Sequence, residues 1–137
     1  MKTATKIILL SAFIIISSTV AYARRKEPEP VAPIDHNDVI YSVPHFIQCL
    51  NDTKGLEQNG GYILARDKNT KRIKWLVQIY VTKYDKTIEQ DAQDVFITEI
   101  KLSEDMLMIK DEKGRTFLLN INTLEIKPLS LKKDSVK

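Results

Sequence analysis

The chain has 137 residues, a formal net charge of +3, 28% charged residues and one cysteine. This length corresponds to one domain of ordinary size. The small charge excess argues against a nucleic-acid-binding domain, which normally carries a strongly basic surface. A single cysteine cannot close an intramolecular disulfide, so a packed core, a partner or both must stabilise the fold.

The N-terminal residues have the three parts of a secretory signal peptide. Lys2 and Lys6 form a basic start, and an uncharged apolar run follows over 7–16. Residues 21–23 read AYA, which matches the small-residue cleavage site. The apolar run is about half of the roughly 20 residues that a membrane-spanning helix needs. The sequence therefore predicts cleavage after Ala23, a secreted or periplasmic location, and no stable membrane insertion of the mature chain.

Cleavage at this point removes 23 of the 137 residues and leaves 114. It also removes two lysines and no acidic residue, which lowers the net charge from +3 to +1. Three prolines within residues 24–37 disfavour helix and favour an extended arm. We expect a single β-domain over residues 38–131 and a charged tail over 132–137.

The predicted domain consists of short β-prone runs separated by turn residues. A first β-type run occupies 39–43, and six predicted strands follow at 62–66, 73–81, 95–102, 106–109, 116–121 and 124–126. Thr87 and Gln90 have the spacing of a capping box, which predicts one helical turn between the strands. The pattern favours an all-β fold of about six antiparallel strands in a meander, with an extended N-terminal arm. A blade-like sheet, a partial barrel and a small sandwich all fit it.

One predicted hairpin resembles the repeat of PQQ-type β-propellers, which reads A-x-D-x-x-T-G-x-x-x-W. Ala65, Asp67, Thr70 and Trp75 match this repeat, and Lys71 occupies the glycine position. The resemblance implies that the aspartate and threonine brace the hairpin turn. It also implies that the tryptophan packs between neighbouring blades.

A second, weaker copy of this repeat follows 53 residues later. Asn120 and Thr123 repeat the spacing of Asp67 and Thr70, and Pro128 occupies the tryptophan position. A propeller needs about four blades or more, whereas 114 residues hold about two, which excludes a closed single-chain propeller. The resemblance implies no quinone chemistry, and we expect no cofactor. The chain is also similar to small exported bacterial proteins, which implies no activity.

The candidate metal ligands are His36, His45 and Cys49, the only imidazoles and the only thiol of the chain. A zinc site uses three or four such ligands. These residues need not bind a metal. In the alternative interpretation, His36 is exposed, His45 is partly packed and Cys49 is buried. An intermolecular disulfide is the other role open to Cys49.

Two further groups of residues are candidate binding or catalytic sites. Asp91 and Asp94 belong to an acidic cluster over 85–94, and paired carboxylates that face one cleft can act as general acid and base. A solvated loop explains the same cluster. Tyr62 and Tyr80 lie on the predicted hairpin and would form a binding patch if they were exposed, whereas core packing would bury them.

These observations favour an exported, non-enzymatic interaction or accessory protein. A face or edge of its sheet would bind another protein or a cell-envelope component, and a homo-oligomer is one such arrangement. One alternative is a small secreted hydrolase that uses carboxylates of the 85–94 segment. The other is a protein that binds a small ligand or a metal. Nucleic acid is not an expected partner.

Overall fold

The computed structural model describes residues 25–46, 50 and 55–129. The predicted leader over 1–23, the thiol of Cys49 and the predicted tail over 132–137 lie outside the described residues, as does the predicted domain end at residue 131.

The described residues form eight strands in two antiparallel four-stranded sheets. In chain order, the first sheet contains β1 (Ile34–His36), β2 (Val39–Ser42), β3 (Tyr62–Asp67) and β4 (Ile73–Gln78). The second sheet contains β5 (Ile97–Ser103), β6 (Met106–Asp111), β7 (Thr116–Asn120) and β8 (Ile126–Leu129). Within the described residues, helix is limited to one turn, α1 (Gln90–Gln93). The prediction of an all-β antiparallel fold is confirmed, and the described strands form no closed barrel.

The described residues form eight strands, whereas the sequence predicted about six. One of the two additional strands, β2, coincides with the β-type run over 39–43. The unpredicted strand, β1, lies within the proline-containing segment that the sequence indicated as an extended arm. It pairs with β2 through a two-residue turn in which Asn37 and Asp38 have φ angles of 49° and 60°. Asparagine and aspartate tolerate this left-handed conformation better than other non-glycine residues, which is why this turn can close a hairpin.

The β3–β4 and β7–β8 turns have the same hydrogen bonds. In each turn one side-chain oxygen accepts the amides two and three residues later, at distances between 2.7 and 2.9 Å. The oxygen belongs to Asp67 in the first turn and to Asn120 in the second. The residue four positions later, Lys71 or Leu124, has a φ angle of 61° in both cases. The two segments that repeat the same residue spacing 53 residues apart therefore form turns of equivalent geometry.

Each of these turns is also bonded to the tight turn between the first two strands of its own sheet. The amide of Lys68 donates to the carbonyl oxygen of Asp38 at 2.8 Å, and the amide of Ile121 donates to that of Asp105 at 3.0 Å. The two sheets thus share one hydrogen-bonding plan. They differ in the connection between the second and third strands, which spans 43–61 in the first sheet and only 112–115 in the second.

The main apolar core of the described residues lies between the two sheets. Its buried side chains come from β3, the segments that flank α1, and the strands β5 to β7, and they include Ile63, Ile79, Val95, Ile97, Leu107, Ile109 and Leu119. A smaller cluster of Val39, Tyr41 and Ala65 adjoins this core. Trp75 of the first sheet and Leu102 of the second both pack against that smaller cluster. Residues of both sheets therefore exclude water from the same interior.

Gly60 lies close against Val95 and Phe96, which directly precede the second sheet. A β-carbon at this position would lie 2.1 Å from the carbonyl oxygen of Val95 and 2.9 Å from the ring of Phe96. We expect Gly60→Ala to lower the free energy of unfolding by about 3 kcal/mol, because the backbone would have to move. Urea denaturation measures this loss.

Gly55→Ala is the matched control. Gly55 has a φ angle of 86°, and no atom of another described residue lies within 4 Å of an added β-carbon, so among these residues its substitution meets only backbone strain. That strain costs about 1 kcal/mol. Equal losses in the two variants would contradict the close packing at Gly60.

Candidate functional site

An open groove of about 700 Å³ lies where the start of the described chain meets the end of α1 and the β6–β7 turn. Its walls are formed by Arg25, residues 81–83, residues 92–95, and three residues of the turn, Glu112, Lys113 and Arg115. We call this feature the arginine groove, because Arg25 and Arg115 both line it.

Arg115 is held in place by a buried carboxylate. Asp111, the last residue of β6, is 1% exposed, and its Oδ2 accepts the Nε–H of Arg115 at 2.7 Å. Its Oδ1 accepts the amides of Lys113 and Arg115 at 3.0 and 2.9 Å. A charge buried this deeply requires such partners. Asp111 therefore fixes both the turn and the orientation of the guanidinium group.

Two aromatic rings support the same guanidinium group. Its central carbon lies 4.8 Å from the ring centroid of Tyr80 and 5.6 Å from that of Phe117. The two rings stack on each other with centroids 5.4 Å apart. The Arg115 side chain is still 44% exposed, and among the described residues its two terminal nitrogens have no acceptor. The groove thus contains a rigid arginine whose terminal nitrogens are available to a ligand.

Arg25 ties the N-terminal arm to this region. Its terminal nitrogens donate to the backbone carbonyl of Asp94 and to the carboxylate of Glu112, and its guanidinium carbon lies 4.8 Å from the ring centroid of Phe96. The same Glu112 oxygen accepts the amide of Phe96 at 2.8 Å. Further along the arm, Val31 packs against the main core. The arm is therefore docked on the domain.

Asp94, one of the predicted site residues, lies in the groove wall, but the residue is only 3% exposed. Oδ2 accepts the side-chain amide of Asn59 at 2.8 Å, and Oδ1 accepts the hydroxyl of Tyr84 at 2.5 Å. Burial, with the hydrogen bond to Asp94 as a second cause, raises the pKa of Tyr84 to about 12. Asp94 therefore braces the 84–94 segment from inside.

The other predicted carboxylate, Asp91, is exposed on α1 and lines an adjoining cavity of about 350 Å³ next to Arg25 and Phe46. Asp94 also lines this cavity, so the structure brings both predicted carboxylates to one cavity. The predicted helical turn is present, but its capping box is not formed. Thr87 donates to Asp85 instead, and α1 begins after Glu89 without a side-chain cap.

The two predicted tyrosines are both buried, so they do not form an exposed patch. Tyr62 is 1% and Tyr80 is 7% exposed. The hydroxyl of Tyr80 donates to the carbonyl of Val95 at 2.9 Å, and burial is the main cause of the raised pKa of this side chain. Tyr80 contributes to the groove by supporting Arg115. Tyr62 does not line it.

The predicted metal ligands are not assembled in the described residues. His36 bonds to the side chain of Asn37 at 2.8 Å, and the ring of His45 lies edge-on to that of Phe96 with centroids 5.4 Å apart. Cys49 lies outside the described residues. In residues 25–46, 50 and 55–129, no three histidine, cysteine or acidic side chains are close enough together to bind a metal ion.

Sequence reasoning did not identify Arg25, Lys83, Asp111, Lys113 or Arg115 as site residues. The local signal for the last three was the order Asp-Glu-Lys-Gly-Arg directly after a β-run. An aspartate that begins a tight turn can accept hydrogen bonds from the amides of the turn. A glycine with a positive φ angle then reverses the chain, so that the side chain of an arginine four residues after the aspartate can bond to its carboxylate. The glycine of this turn, Gly114, has a φ angle of 77°.

His45 is a source of pH-dependent stability. Burial lowers its pKa, while the backbone of Glu29 and the charges of Glu112 and Glu27 act in the opposite direction. Neither ring nitrogen makes a hydrogen bond to any of the described residues. The folded domain therefore favours the neutral imidazole.

Because the pKa of His45 is lower in the folded chain than its ordinary value of about 6.5, the unfolded chain binds the proton more readily. This contribution to stability is complete above about pH 6.5 and is lost as the pH falls through the folded pKa. We expect the Tm to fall less between pH 7 and pH 5 in His45→Phe than in the wild type, as measured by circular dichroism. An equal fall in both would contradict the assignment, and His36→Phe is the control for removing an imidazole elsewhere.

Comparison with known proteins assigns no family to the chain. It has no significant match among protein-family models, curated proteins or solved structures. Within the part of the chain that the structure describes, no helix has the length and apolar character needed to span a membrane. The function of the groove must therefore be inferred from its own residues.

Proposed function

We propose that the protein is an exported, non-enzymatic interaction or accessory protein that binds another protein or a cell-envelope component. The observation that carries this proposal is the arginine groove. Asp111, Tyr80 and Phe117 together fix one arginine at an open surface and leave its terminal nitrogens available. Such a pre-oriented arginine suits recognition, because little conformational freedom is lost when a partner binds.

The free edges of the two sheets support the same function. The strands β4 and β8 each have one strand neighbour within the described sheets. Ile73 of β4 and Leu129 of β8 are both 45% exposed. An unpaired edge with exposed apolar side chains can accept a strand from a partner or from a second copy of the chain.

We further propose that each sheet is a blade-like unit related to the PQQ-type propeller repeat. The proposal is supported by the equivalent turns at Asp67 and Asn120 and by the contact of Trp75 with the cluster that Leu102 also touches. The first strands of the two sheets, β1 and β5, are also neighbours. Two such units do not close a ring, so assembly with further copies is compatible with this architecture.

The alternative of a small secreted hydrolase has weaker geometric support. General acid–base catalysis needs two carboxyl groups that face one cleft and have separated pKa values. Both carboxylate oxygens of Asp94 are already hydrogen-bonded, and Asp85 accepts the amide and the hydroxyl of Thr87. These contacts suit carboxylates that stabilise the 84–94 segment.

Native mass spectrometry of the protein purified from its own extracytoplasmic fraction tests the proposed function. We expect a processed chain that begins at Arg24 and carries a partner or a second copy. Chemical cross-linking before extraction preserves weak complexes. A chain that retains its leader would contradict export. A bare monomer with and without cross-linking would contradict the interaction function.

A further inference from the structure

We propose that the arginine groove binds an acidic peptide segment of a partner protein, and that the terminal nitrogens of Arg115 hold one carboxylate of that segment. This inference rests on the proposed interaction function and specifies the chemistry of the partner. It follows from the orientation of Arg115, the charge around the groove, and the hydrogen bonds of the β6–β7 turn.

The first argument is the orientation of Arg115. Its Nε–H is bonded to the buried Asp111, and its guanidinium carbon lies over the ring of Tyr80, 4.8 Å from the centroid. These contacts leave the edge with the two terminal nitrogens for a ligand. That edge matches the two oxygens of a carboxylate and can donate two parallel hydrogen bonds to them.

The second argument is the charge around the groove. Four cationic side chains border it, namely those of Arg25, Lys83, Lys113 and Arg115. The two acidic residues in its walls are already engaged: Asp94 with Asn59 and Tyr84, and Glu112 with Arg25. Lys83 and Lys113 are exposed and form no salt bridge with another described residue. Asp111 balances part of the charge of Arg115, so the positive charge that an approaching ligand meets comes mainly from Lys83 and Lys113.

The third argument concerns why the groove fits an acidic peptide better than a phosphate group. Compact phosphate sites usually direct several backbone amides at one point. In the β6–β7 turn all four amides over 112–115 already donate to Asp111 or Phe96, so this turn offers a ligand only its side chains. Val81, which is 69% exposed, also lines the groove and adds an apolar surface. Separate cations beside an apolar side chain fit a peptide with several carboxylates better than they fit one phosphate.

Isothermal titration calorimetry of the mature chain with hexaglutamate tests this proposal. The peptide is acetylated and amidated so that only its side chains are charged, and hexaglutamine is the uncharged control. We expect hexaglutamate to bind at low ionic strength, with an affinity that falls as salt is added, and hexaglutamine not to bind. We expect Arg115→Gln to weaken binding about tenfold or more, as for the loss of a charged hydrogen-bonded pair.

Arg115→Gln also removes a partner of the buried Asp111 and can unfold the turn, so two lysine variants provide an independent test. Lys83→Gln and Lys113→Gln change exposed groove residues that make no salt bridge in the described part of the chain. We expect each to weaken hexaglutamate binding about threefold. Lys110→Gln is the matched control, because Lys110 is exposed on β6 and does not line the groove. It should bind hexaglutamate as tightly as the wild type.

Three results would overturn the acidic-peptide proposal. The first is that hexaglutamate does not bind at low salt. The second is that Lys110→Gln weakens hexaglutamate binding as much as the two groove variants do. The third is that inorganic phosphate displaces the peptide at a lower concentration than acetate does. The proposed interaction function is tested separately. If native mass spectrometry still finds the partner on Arg115→Gln, the interaction function stands and only the groove assignment fails.

Discussion

The apolar core between the two sheets is the contact on which the rest of the structure depends. Ile63 of the first sheet and Leu107 and Leu119 of the second are fully buried. A four-stranded sheet needs a second layer to bury its apolar face, and here each sheet provides that layer for the other. The same packing brings Tyr80 against Phe117, which together support Arg115. The groove is therefore a consequence of how the core is formed.

Two buried carboxylates at the border of this core hold the adjacent loops in one conformation through their hydrogen bonds. Asp94 organises the 84–94 segment through Tyr84 and Asn59, and Asp111 organises the β6–β7 turn through Arg115. A buried charge without partners would cost several kcal/mol, so these hydrogen bonds constrain their surroundings strongly. Loops held in this way can present side chains in one orientation, which an interaction surface requires.

The features that were predictable from the sequence are local. The turns at Asp67 and Asn120 are formed by residues two and three positions away, and most strands follow from runs of β-prone residues. The burial of Tyr62 and Tyr80 and the docking of Arg25 depend on packing between distant segments. Arg25 bonds to residues 69 and 87 positions away, and no local pattern encodes such contacts. The groove was missed for this reason.

Equilibrium unfolding of the mature chain in urea tests most directly the claim that the two sheets share one core. Trp75, the only tryptophan, reports on the first sheet by fluorescence, and the amides of Leu107 and Leu119 report on the second by hydrogen exchange. One shared core predicts the same midpoint and the same free energy of unfolding from both probes. A Trp75 transition at lower urea, with the second sheet still protected, would contradict it.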